Sequence, residues 1–77
     1  MNVGTILQLS FENVAGHISN LDTVRILVDE MSGECGSIQE AVSILEAKMA
    51  DAEVTLVTDI RILINEIHHR TREKSSR

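Results

Sequence analysis

The chain has 77 residues, no proline and a single aromatic residue, Phe11, and its formal net charge is −5. A chain of this length forms one domain at most and buries only about 60% of the surface that its unfolded state exposes. The negative charge argues against a protein that coats nucleic acid, because such binding depends on neutralising phosphates. With one cysteine, no apolar run long enough to span a bilayer and no secretory signal, the sequence predicts a cytoplasmic protein outside the membrane.

The first apolar ladder predicts a helix over about 6–31. Thr5 and Gln8 have the spacing of a capping box, and after them apolar residues recur every three or four positions. The ladder is weak in the middle, where Gly16 and Asn20 are poor helix formers. A kink or a frayed stretch is therefore expected there.

The second ladder predicts a longer helix over about 38–73, after a glycine-containing loop at 32–37. Ser37 and Glu40 have the spacing of a capping box at its start. The apolar spacing alternates between four and three except at 56–60, where an extra step of four resembles a stutter in a coiled coil. The ladder has no glycine or proline, so an uninterrupted helix is expected.

The two ladders together predict an all-α fold, a long antiparallel hairpin of two helices. Segments 24–28 and 54–64 are rich in β-branched residues and alternate partly like strands, which is the alternative reading. Two helices share only one seam and would leave a long apolar stripe in water. We therefore expect the hairpin to dimerise into a four-helix bundle or to pair with a helical partner protein.

The candidate interface residues are the large apolar members of both ladders. They are Phe11, Val14, Ile18, Leu21, Val42, Leu45, Met49, Leu56, Ile60 and Leu63. Four further apolar residues lie off the main stripes and are candidates for a second partner surface: Leu9, Ile26, Ile44 and Ile62.

The sequence motifs that could indicate catalysis or metal binding are weak. Glu66 and His69 have the Glu-x-x-His spacing of helical di-metal sites, but on a helical projection both fall beside the apolar stripe and should face solvent. Cys35 has no neighbouring cation that would lower its pKa, and His17 has no Ser, Asp or Cys at a spacing that would orient it. We therefore predict no catalytic residue, cofactor site or metal site.

Charge is distributed unevenly along the chain. Residues 1–67 carry a net charge of −8 and residues 68–77 a net charge of +3, so that an acidic body ends in a frayed basic tail at 70–77. The leading interpretation is a non-enzymatic interaction module, such as a dimeric adaptor, an antiactivator or a chaperone-like regulator. The alternatives are a nucleic-acid-associated regulator that uses the basic tail and a helical-bundle metalloprotein.

Overall fold

The computed structural model describes the backbone of residues 2–75 and the side chains of residues 2–71. Over residues 2–75 the chain forms four α-helices and a short 3₁₀ turn at Ala15–His17. The helices are α1 (Val3–Val14), α2 (Leu21–Glu34), α3 (Ile38–Ala50) and α4 (Val54–Ser75). The all-α prediction is confirmed. The predicted two-helix hairpin is wrong, because each of the two long helices is divided in two.

The start of α1 also differs from its prediction. Asn2, not Thr5, is the N-cap: the Asn2 side-chain oxygen accepts a hydrogen bond from the backbone N–H of Thr5 at 2.8 Å. Asparagine is a strong capping residue, so the helix begins at Val3, three residues earlier than expected. Gln8 is then free to reach α2, where its side chain donates to Asp29 and Ser32.

The contacts between α1 and α2 show that these two helices are antiparallel. Gln8 meets Asp29 halfway along, and Gly4 lies against Ser32 near the other end. A side chain at Gly4 would place its Cβ 3.3 Å from the Ser32 carbonyl oxygen, so glycine permits this close approach. α1 also packs on α4, and α3 packs mainly on α4.

The first helix break lies where a kink was expected, but it separates α1 from α2 completely. The fully buried carboxylate of Asp59 in α4 accepts hydrogen bonds from the backbone N–H groups of Ser19 and Asn20, at 2.9 and 2.7 Å. The Asn20 side chain donates to Asp59 as well and to Thr55. Asp59 therefore ties the connection between α1 and α2 to α4.

The second break, between α3 and α4, occurs at Asp51, Ala52 and Glu53, where an uninterrupted helix was expected. The N–H groups of Asp51 and Ala52 donate to carbonyls of the last turn of α3, and Glu53 accepts the first hydrogen bond of α4 from Val57. By contrast, the predicted start of α3 is confirmed: Ser37 Oγ accepts from the N–H of Glu40 at 3.1 Å.

The core lies between the four helices and is aliphatic apart from one phenylalanine. Its members are Leu7, Phe11, Val14, Ile18, Val24, Leu27, Val28, Met31, Ala41, Val42, Leu45, Ile60, Leu63, Ile64 and Ile67. Because one chain supplies four helices, its apolar stripes cover one another. The expectation of a dimer was based on an uncovered two-helix hairpin, and that premise does not hold.

Candidate functional site

An open groove of about 320 Å³ lies between α2 and the junction of α3 with α4. It forms there because α2 packs mainly on α1, and α3 on α4, so the two helix pairs leave a gap between them. Its nine lining residues come from three helices and the α3–α4 turn: Thr23, Ile26, Leu27, Glu30, Lys48, Asp51, Ala52, Leu56 and Ile60.

The floor of the groove is apolar. Leu27 and Ile60 are buried members of the core, and Ala52 and Leu56 are half-buried beside them. The bottom of the groove thus adjoins the core, and the half-buried Ala52 and Leu56 form its accessible part.

One of the two large exposed hydrophobic side chains in the described residues lies at this groove. In residues 2–71 they are Ile26, which is 58% exposed, and Val54, which is 81% exposed. Ile26 forms part of the groove wall, and Val54 begins α4 between the lining residues Ala52 and Leu56. Scattered surface hydrophobics need no explanation, but Ile26 belongs to an apolar groove and extends its surface.

The rim of the groove is charged. Glu30 of α2 and Asp51 of the α3–α4 turn are exposed carboxylates, and Lys48 of α3 is an exposed ammonium. Within the described side chains, none of the three is engaged in an ion pair or a hydrogen bond. These groups are therefore available to a bound molecule.

A second depression, between α1 and α2, is a weaker candidate. It is lined by Gln8, Phe11, Glu12, Arg25 and Asp29. Its polar groups already bond within the chain: Gln8 donates to Asp29, and the Arg25 guanidinium lies 5.9 Å from the centre of the Phe11 ring. A ligand there would have to replace existing contacts.

The ten predicted interface residues all lie in or against the core. Seven are buried in it: Phe11, Val14, Ile18, Val42, Leu45, Ile60 and Leu63. Leu21, Met49 and Leu56 are half-buried and pack against it. An interface with a second chain stays a prediction, and of these ten residues Leu56 and Ile60 line the groove.

The four off-stripe residues differ in exposure. Ile26 is exposed at the groove, whereas Leu9, Ile44 and Ile62 are half-buried. Sequence spacing thus singled out Ile26 as a surface residue. It gave no indication of the groove itself, which depends on where the two helix pairs separate.

Glu66 is occupied by other contacts. Its carboxylate accepts a hydrogen bond from the Asn13 side chain at 2.8 Å and pairs with Arg70 at 3.4 Å. The residues that the structure describes contain no group of three or more His, Cys, Asp or Glu side chains placed to hold a metal. Glu66 therefore joins α1 to α4.

Cys35 lies half-buried in the linker between α2 and α3 and packs against the core. Burial and the neighbouring carboxylates of Glu40 and Glu34 raise the pKa of the Cys35 thiol. Since the thiolate is the nucleophile, this environment makes Cys35 less reactive at neutral pH.

The basic tail at 70–77 lies mostly outside the described residues. The backbone continues as helix to Ser75, and the side chains from residue 72 onward, with all of residues 76–77, are not described. None of the described helices is long and apolar enough to cross a membrane.

Comparison with known proteins gives no match: no protein-family model, no curated protein and no solved structure is significantly similar to this chain.

Proposed function

We propose that this protein is a non-enzymatic interaction module that binds an amphipathic helix of a partner protein in the groove between α2 and the α3–α4 junction. The observation that carries the proposal is an open apolar groove, in which the exposed Ile26 and the half-buried Ala52 and Leu56 lie over the buried core residues Leu27 and Ile60. In cells such a module would act as a small adaptor, an antiactivator or a chaperone-like regulator.

The shape of the groove supports a helix as the ligand. Its α2 wall, Thr23 to Glu30, spans two helical turns or about 10 Å, and the opposite wall consists of the end of α3, the α3–α4 turn and the first part of α4. A helix laid between two helix pairs would present residues at i, i+3, i+4 and i+7 to the floor, as in other helix-in-groove complexes. The partner would complete the bundle as a fifth helix.

The surroundings of the groove support a macromolecule over a small molecule. The volume of about 320 Å³ is at the lower end of small-molecule sites, which range over about 300–1,000 Å³. However, Ile26 on the groove wall is 58% exposed, and a helix laid along this wall would cover it.

The experiment is an NMR titration of the isotope-labelled protein with a panel of helical peptides that carry Leu at i, i+3, i+4 and i+7. We expect the peptide to shift the backbone signals of groove residues such as Ile26, Ala52 and Leu56, and not those of the α1–α2 depression. Ile26→Asp should abolish these shifts, because it places a charge against the apolar floor.

The matched control is Ser43→Asp, which adds the same charge at an exposed position on the face of α3 away from Lys48. It should bind the peptides as the unmodified chain does. If no peptide shifts the groove signals, or if Ile26→Asp binds unchanged, the groove is not a helix-binding site.

A further inference from the structure

The charges around the groove indicate which kind of helix it accepts. We infer that the partner helix is basic, with Lys or Arg side chains flanking its apolar row, so that they meet the carboxylates of Glu30 and Asp51. This inference rests on the function proposed above and specifies the chemistry of its partner.

The first argument is the state of the rim carboxylates. Elsewhere in the described chain several carboxylates have partners: Asp29 accepts from Gln8, Glu66 from Asn13, and Asp59 from Ser19 and Asn20. Glu30 and Asp51 have none, as is true of other exposed carboxylates such as Glu46, but these two border the apolar groove. A bound helix would cover part of their solvent, and an unpaired carboxylate is costly to desolvate unless the ligand brings a cation.

The second argument is the position of Glu30 along α2. Glu30 follows Ile26 by one helical turn on the same side of α2, and Glu34 follows Glu30 by another. Asp22 precedes Ile26 by one helical turn on that side, so Ile26 has a carboxylate on either side of it along α2. A helix with basic residues on both sides of its apolar row would match this order.

The third argument is the electrostatic field that the charges of the whole chain produce. Residues 1–67 hold Arg25, Lys48 and Arg61 against eleven acidic residues, which gives a net charge of −8. Lys48 is the one cation among the lining residues and stands against two carboxylates. Both the local and the overall charge attract a basic ligand and repel an acidic one, which affects association rate and choice of partner.

The test compares two peptides that share one apolar row of Leu residues and differ only in their flanks, Lys in one and Glu in the other. Each is titrated into the full chain at about 0.05 M and about 0.5 M salt, conditions under which screening of exposed charges differs greatly. At low salt we expect the Lys peptide to bind at least about tenfold more tightly, and at high salt the difference should shrink.

The variant that tests the assignment to the rim is the double substitution Glu30→Lys and Asp51→Lys. It should reverse the preference, so that the Glu peptide binds more tightly. Its control is the double substitution Glu12→Lys and Glu46→Lys, which makes the same change of charge at two exposed side chains outside the groove. It should preserve the preference for the Lys peptide.

The outcomes separate this inference from the function on which it depends. If neither peptide binds, the proposed function is wrong. If both peptides bind equally at low salt, the groove is an interaction surface and the charge inference is overturned. If groove signals shift with protein concentration before any peptide is added, the groove belongs to a second copy of the chain and both proposals fail.

Discussion

The turns at the two helix breaks are held in place by different means. Between α1 and α2, the turn is bonded to a distant part of the protein, because the backbone of Ser19 and Asn20 donates to Asp59, about 40 residues further along. Between α3 and α4, the turn bonds only to its neighbours: Asp51 donates to Lys48 and Ala52 to Met49. The first turn is thus fixed by a long-range polar contact, whereas nothing polar fixes the second to the rest of the bundle in the residues described.

This difference bears on the groove. One wall of the groove includes the α3–α4 turn, which supplies Asp51 and Ala52, and the other wall begins just after the first turn, at Thr23. One wall therefore follows a turn that is bonded to α4, and the other contains a turn with only local hydrogen bonds in the described residues. Changing each turn separately can test this asymmetry.

The largest effect is expected from Asp59→Ala. The substitution removes a buried acceptor and leaves the N–H groups of Ser19 and Asn20 without a partner, which should lower the free energy of unfolding by about 3 kcal/mol. The matched change in the other turn, Asp51→Ala, removes an exposed carboxylate and should alter the free energy of unfolding by less than about 0.5 kcal/mol. Urea unfolding followed by circular dichroism measures both. Equal losses would show that the two turns are held alike.

The second prediction concerns pH. Burial alone would raise the pKa of the Asp59 carboxyl, but hydrogen bonds from Ser19 and Asn20 outweigh it and the pKa is lowered. A carboxyl with a lowered pKa in the folded state contributes its full stability above the pKa of an unfolded aspartate, about 3.9. The contribution is lost as the pH falls through the folded pKa.

The measurement is urea unfolding at a series of pH values between about 2 and 6, a range that brackets the ordinary aspartate pKa. The unmodified chain should lose stability on acidification more steeply than Asp59→Asn, which cannot titrate at that position. The difference between the two proteins removes the effect of the other carboxylates. Parallel curves would show that Asp59 titrates alike in the folded and unfolded chain.

The same contrast explains how well the sequence predicts each of the two turns. Gly16, Ser19 and Asn20 are poor helix formers, so a weak point was visible in the first ladder, although not the buried acceptor in Asp59 that fixes it. Asp51, Ala52 and Glu53 include good helix formers and no glycine or proline, and the apolar spacing continues through them. Packing of α3 back onto α4 ends the helix there, and local propensity does not report such packing.

The groove could not be predicted for a related reason. The apolar ladder identified Leu56 and Ile60 as inward-facing, and spacing placed Ile26 on the surface. That these residues meet at one groove depends on the second turn, which brings Ala52 and Leu56 opposite α2. With an uninterrupted second helix, the same residues would have lain along an extended seam.

A smaller effect is expected from adding a helix-capping side chain at the second turn. Glu53 is the N-cap of α4, since its carbonyl accepts the first helical hydrogen bond, and its side chain makes no capping hydrogen bond in the described structure. Glu53→Ser supplies a capping hydroxyl and should stabilise the chain by about 1 kcal/mol. Glu53→Ala removes the same charge without adding a cap and should bring no such gain in urea unfolding. A gain in both variants would assign the effect to charge.

The smallest effect is expected in the first turn, from Gly16→Ala. A Cβ at Gly16 meets no atom within 4 Å and the backbone is not left-handed, so alanine fits and restricts the unfolded chain, which should add about 0.5 kcal/mol. Gly4→Ala is the control, because its Cβ would lie 3.3 Å from the Ser32 carbonyl oxygen and should cancel the gain. If Gly16→Ala destabilised the chain in urea unfolding, the first turn would need glycine itself, and Asp59 alone would not account for how that turn is held.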